Sequence, residues 1–222
     1  MDQSSWELFV ASLRPLVVAA VTATIPLALI SFAGGLALAL VLALMRLSSR
    51  RWLSGVARAY ISVVRGTPLL VQLFVIFYGL PSVGVVIPPW PSAILAFVIN
   101  VGGYAAEIIR AAILSVPKGQ WEAAYMVGMS RSVALRRIIL PQAARVSVPP
   151  LSNTFISLVK DTSLASLILV TEMFREAQRI AAFSQEFMLL YIEAGLIYWL
   201  ICLVLSSLQS ALETRLDRYV AH

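Results

Sequence analysis

An all-α integral membrane protein with five membrane-crossing helices is the fold class this sequence predicts, on three observations. Of its 222 residues, 60% are hydrophobic and 13% charged, against about 25% charged in soluble domains. Pro15 to Met45 contains no charged residue, and at about 1.5 Å rise per residue it more than crosses a hydrocarbon core of about 30 Å. The charged residues gather instead in short stretches between apolar runs. No internal repeat and no composition break divides the chain, so it reads as one transmembrane domain over 1–222.

The first span is expected at about 16–45. The residues before it, with Asp2, Glu7 and Arg14, lack the basic start of a signal peptide, and the apolar run is too long for one. Gly66 to Ala106 is also free of charge. Within it, "PSVGVVIPPWP" (81–91) carries four prolines and Gly84, which no regular helix passes through, so it connects two spans. The left-hand one is placed at about 56–80, with Arg58 and Arg65 snorkelling to the interface, and the right-hand one at about 92–114. A fourth is expected at about 151–170, after Pro149-Pro150, and a fifth at about 187–208. The lone Cys202 excludes an internal disulfide and reads as a small core residue.

Lys and Arg are retained on the cytoplasmic side of bacterial membranes. Arg46, Arg50, Arg51, Arg58 and Arg65 follow the first span. Lys118, Arg131, Arg136, Arg137 and Arg145 follow the third, against Glu122 alone. The N-terminus, the "PSVGV" connection and the segment 172–186 are neutral or slightly acidic. An odd number of spans then puts the N-terminus outside and the C-terminus in the cytoplasm. The bias accounts for the net charge of +6, so nucleic-acid binding is not needed to explain it.

The loop 118–141 is the most polar stretch. "KGQWEAAYMV" can form a short helix with Glu122 favoured by the helix dipole, and Ala123 and Ala124 let another surface approach closely. Gly128 suits a left-handed helix end, Ser130 can cap a second helix, and Pro141 marks a boundary before the next span. An amphipathic loop lying on anionic lipid is one reading. The spacing is more specific: Glu-Ala-Ala, three residues, Gly128, nine residues, Ile138, one residue, Leu140-Pro141. That EAA motif resembles the signature of ATP-binding-cassette (ABC) importer permeases at each fixed position. "RGTPLLVQLFVIFYGLP", "YAAEIIRAAI", "KGQWEAA", "LPQAARVSVPPLSN" and "SLVKDTSLAS" extend the resemblance, towards the polar amino-acid branch, along almost the whole chain.

The resemblance implies a type I (MetI-like) permease fold in a bacterial inner membrane, importing a polar amino acid, with L-cystine the expected cargo. It implies a homodimer working with an ABC ATPase dimer and an extracytoplasmic solute-binding protein. Glu122, Ala123, Ala124, Gly128 and Ser130 would couple to the ATPase. This chain is not expected to be an enzyme or to bind a cofactor: it has no G-x-x-x-x-G-K-[ST] loop, and its single His222 and single Cys202 cannot build a metal site. ATP and magnesium would belong to the partner.

Ionisable residues deep in a span are costly and usually face a cavity or a partner. Lys160-Asp161 falls within the fourth span, where a local break, with hydroxyls from Thr162 and Ser163, would resemble transporter sites at the midplane. A substrate carboxylate for Lys160 and an ammonium for Asp161 is one reading, and packing across a dimer the other. Asn153 and Ser157 share a face leading to them, as a polar path or an interhelical hydrogen-bond stripe. Glu107 and Arg110, three apart, form a local ion pair or a gate. Glu172, Arg175, Glu176 and Arg179 read as a solvated helix with internal ion pairs or as a docking surface for the binding protein. Rival functions are import of arginine, histidine or glutamine, and ion-driven secondary transport, which leaves the EAA loop without a use.

Overall fold

The computed structural model describes residues 3–217 and the side chains of 5–215. Asp2 and His222 lie outside the described residues. Every regular element is helical. Three helices are long and apolar enough to cross a membrane, or up to five if each of two bent pairs is one span.

The first helix is longer than expected. α1 (Gln3–Ala19) passes through a π turn (Ala20–Thr24) into α2 (Ile25–Arg46), and the helix that holds the first candidate span covers 42 residues, Ser5–Arg46. The reason lies in what covers its early turns. Leu16 and Ala20 are buried in a cluster with Met173, Ala177, Leu190 and Ala194, and the Ser12 hydroxyl lies 2.6 Å from Glu193 Oε2. Tertiary packing extends a helix that composition alone would start later.

α2 continues into a second cluster and packs along α5 (Pro89–Ser115), the central span, which covers the expected 92–114. Gly34, Gly35 and Gly102 make this crossing close. A Cβ on Gly35 would stand 2.5 Å from Val101 Cγ1, and one on Gly102 2.7 Å from Leu38 Cδ2. Small residues at a membrane helix crossing let backbones approach and gain dispersion contacts.

The span expected at 56–80 is not one helix. α3 (Arg51–Gly66) ends where Thr67 is extended (φ −121°, ψ 143°), and Pro68 opens α4 (Leu69–Phe74), continued by a π turn (Val75–Gly79) and a 3₁₀ turn (Leu80–Val83). The two halves meet at 104°. Proline disfavours helical geometry in the residue before it, and Gln72 bridges the corner by donating to Val64 O (2.9 Å) and Thr67 O (3.2 Å). Arg65 stands, exposed, one residue before the end of α3 at this corner.

The fourth element also departs from expectation. After α6 (Lys118–Met126), α7 (Arg131–Ala134) and a π turn (Leu135–Ile139), α8 runs from Leu140, with Pro141 in its first turn, to Asp161, straight through Pro149-Pro150, so the proline pair is not a boundary. Each proline removes one helical hydrogen bond, a loss that neighbouring groups can offset in membrane helices; Thr154 Oγ1 donates to Pro150 O at 2.9 Å. The helix tightens to 3₁₀ over Thr162–Ile168, turns at Leu169 (φ 66°), and meets α9 (Met173–Ser184) at 50°. α10 (Phe187–Asp217) completes the chain. Cys202 on it is half-buried, not part of the core.

On α9, Glu176 pairs with Arg179 at 2.5 Å, the internal ion pair foreseen, but Glu172 is fully buried. Its Oε1 accepts from Arg175 N (2.7 Å) and its Oε2 from Tyr198 (2.8 Å), joining α9 to α10.

Candidate functional site

A cavity of about 750 Å³ opens where the α3–α4 corner, α5 and α8 converge. Asn153, Ser157 and Asp161 recur at every fourth residue of α8 and form one wall, as residues four apart share a helix face. Asn100, Tyr104, Glu107 and Arg110 supply the α5 wall, and Arg65 and Thr67 the corner. The structure thus brings the expected path residues of α8 together with the expected gate pair.

Lys160, Thr162 and Ser163 do not line the cavity. Lys160 is exposed on another face of α8, because adjacent helical residues point about 100° apart. Thr162 is buried and donates to Val159 O at 2.7 Å, while Ser163 donates to Lys160 O at 2.8 Å. Their hydroxyls secure the change from α to 3₁₀ geometry. Lys160-Asp161 lies where α8 gives way to 3₁₀ geometry.

Glu107 is clasped from both sides. Arg110 reaches Oε2 at 2.8 and 2.9 Å, and Arg46 of α2 reaches Oε1 at 3.3 Å. The local ion pair is therefore part of a three-residue link between two spans. Arg65 was missed as a cavity residue because the bend at Pro68 was not foreseen; its guanidinium lies 5.4 Å from the Tyr104 ring centroid, within cation–π range. Asn100 donates to Gln72 Oε1 at 3.2 Å, fixing the corner against α5. Asp161 makes no hydrogen bond or close ion pair among the described residues. The cavity holds an unengaged carboxylate, guanidinium groups and neutral hydroxyl and amide groups, a set suited to a zwitterion. Among the described residues no His, Cys, Asp and Glu cluster suits a metal ion.

A second feature stands at one end of the bundle. α6 follows Pro117 and ends at Met126, and two residues on the chain turns at Gly128, whose φ of 77° is the left-handed value glycine adopts at least cost. Met129 N closes the turn by donating to Ala124 O at 3.0 Å. Ser130 holds the capping position of α7, yet its hydroxyl makes no capping bond. Glu122, Ala123, Gly128 and Ser130 are exposed, whereas Ala124 is buried against the chain's own α7 region. Tyr125, Met126 (87% exposed) and Val127 (72% exposed) add apolar surface beside them.

Comparison with known proteins agrees with this architecture. The family described as binding-protein-dependent transport system inner membrane component matches residues 35–218. The L-cystine transport system permease protein TcyB of Bacillus subtilis is 58% identical over 97% of this chain and 93% of its own length. The nopaline transport system permease protein NocM of Agrobacterium fabrum is 42% identical, covering 87% of this chain and 85% of its own. A solved amino acid ABC transporter with histidines superposes with a TM-score of 0.85 at 38% identity, covering 91% of this chain and 94% of that one. The MetNI methionine transporter, at 18% identity and a TM-score of 0.64 over 96% and 99% of the two chains, shares the fold. The chain is a member of the family of inner-membrane components of binding-protein-dependent transport systems.

Proposed function

We propose that this inner-membrane permease subunit imports a polar amino acid, foremost L-cystine, as one half of a homodimer with its N-terminus outside and C-terminus in the cytoplasm. One observation supports the reading: Asp161 and Arg65 line the same cavity between helices. A substrate ammonium would face Asp161 and a carboxylate Arg65, which takes the part the sequence had suggested for Lys160. Charge interactions are far stronger in such a setting than in water. The relative of known cystine transport, at 58% identity, supports the cargo.

The energy would come from a separate ABC ATPase dimer, which holds ATP and magnesium. Its surface would receive α6 with Glu122, Ala123, Gly128, Ser130 and the apolar tip at Met126, while Ala124 transmits the push into this chain. A solute-binding protein would deliver substrate from outside. Alternating access then follows as the Arg46–Glu107–Arg110 link and the α3–α4 corner rearrange. Uptake of labelled cystine by vesicles containing the permease, its ATPase and its binding protein tests the reading. Expected is ATP-dependent uptake that unlabelled cystine suppresses more than arginine, histidine or glutamine does. Uptake without ATP, driven by an ion gradient, would overturn it.

A further inference from the structure

A separate cavity of about 580 Å³ lies where α2 and α5 end against α6 and α7. Its floor is apolar, with Leu44, Leu47, Ile113 and Leu114; its mouth carries Lys118, Arg131 and the Ser48–Ser49 turn. Lys118 and Arg131 form no ion pair among the described residues. On the far side of the same serine turn, a second recess of about 430 Å³ adds Arg51 and Arg58, again without acidic partners. Two apolar spans, ending at Arg46 and Ser115, stop here, which sets the mouth at headgroup level and the floor at acyl-chain level. Leu114 is 58% exposed, so the floor opens sideways.

We propose that this cavity binds one anionic phospholipid, its phosphate held by Lys118, Arg131 and the Ser48–Ser49 turn and an acyl chain laid along Leu44 and Leu114. Basic pockets between span ends suit phosphate headgroups, and serine hydroxyls and guanidinium groups donate to phosphate oxygens. The apolar floor separates this from a site for a free anion, which would gain nothing from Leu44 or Leu114. The inference takes only membrane residence from the reading above and holds whichever way the bundle is oriented.

Native mass spectrometry of the purified permease, with phosphatidylglycerol and phosphatidylcholine of identical chains, tests it without any transport measurement. Two basic groups at a headgroup predict a preference for phosphatidylglycerol of about tenfold to thirtyfold. Lys118→Gln with Arg131→Gln should bring the preference close to unity while phosphatidylcholine binding stays as before, showing that the cavity remains folded. Arg136→Gln with Arg137→Gln, exposed basic residues at the same end but off the cavity, should leave it intact. Equal binding of the two lipids by the unaltered protein overturns the proposal, and so does equal loss in both variant pairs. Displacement by glycerol phosphate marks a simple anion site, and displacement by the ATPase marks part of its docking surface; either result also overturns it.

Discussion

Arg46 and Glu107 stand 61 residues apart in the chain and 3.3 Å apart in space, tying α2 to α5 beside the polar cavity. Arg110 shares the same carboxylate. Replacing Glu107 by Gln leaves two guanidinium groups facing each other in a partly buried wall, and removing one partner of such a group costs about 1–3 kcal/mol. Thermal unfolding of the purified permease should show this loss. Arg46→Gln should cost less, and the double variant should fall short of the sum, because the two residues share one interaction. Strict additivity would mean that the pair contributes nothing to stability.

Asp161→Asn should raise the half-saturation concentration for transport about tenfold to hundredfold while the permease still assembles with its ATPase. Asn keeps the shape and loses the charge, and a hydrogen bond to a charged group is worth about 1.5–3 kcal/mol. An unchanged half-saturation value in assembled complexes would remove Asp161 from the substrate path.

Arg65 and Lys160 are alternative partners for a substrate carboxylate under the proposed reading. Arg65 lines the cavity and Lys160 does not. Arg65→Gln should therefore weaken substrate binding, and Lys160→Gln should leave it close to normal. The reverse order, measured as transport against cystine concentration, would restore the assignment suggested by the sequence and contradict the wall described for α8.

Buried Ala124 and the exposed Met126–Val127 tip should behave differently. Ala124→Leu forces bulk into a buried position (4% exposed) and should destabilise the permease itself by about 1–3 kcal/mol. Met126→Ser with Val127→Ser should leave thermal stability intact and lower capture of the ATPase in a pull-down. Full capture by the serine variant would place the docking surface elsewhere.

Orientation is open to direct measurement. In a Cys202→Ser background, single cysteines replacing Arg131 and Val83 should be labelled by an impermeant maleimide from the cytoplasmic and the outer side respectively. Labelling of position 131 from outside would invert the bundle, and with it the coupling reading.

Much of this architecture was legible in the sequence because membrane residence leaves strong marks. The central span at 89–115 is bounded by Pro88-Pro89 and Pro117, and Gly128 announced its own left-handed geometry. What misled was proline. At Pro68 the chain breaks, since nothing prevents Thr67 from going extended; at Pro149-Pro150 it continues, since α8 is held along its length by α5 and α10. Local rules set the cost of a proline, and packing elsewhere decides whether that cost is met. The glycine crossing of α2 and α5 was missed for a related reason: Gly35 and Gly102 have meaning only as a pair, 67 residues apart. The site was half visible. Period-four spacing grouped Asn153, Ser157 and Asp161 correctly, but Arg65 could join them only once the corner was known.

The π turn at Ala20–Thr24 gives chain length a meaning there that residue identity does not capture. A π turn holds one residue more than an α turn, so deleting one residue, Val21 for example, would let the helix close into regular α geometry. Five residues in the wide turn advance about as far around the axis as four in regular α-helix, at about 100° each, so the two sides would keep their phase. Leu16 and Ser12 would still lie on α9 and α10, and Leu27 and Gly35 would still face α5. The surplus residue works as slack between two packing bodies: losing one residue within 20–24 should leave assembly intact, whereas losing one within regular α2 at 28–34 should turn what precedes it about 100° out of phase and abolish assembly.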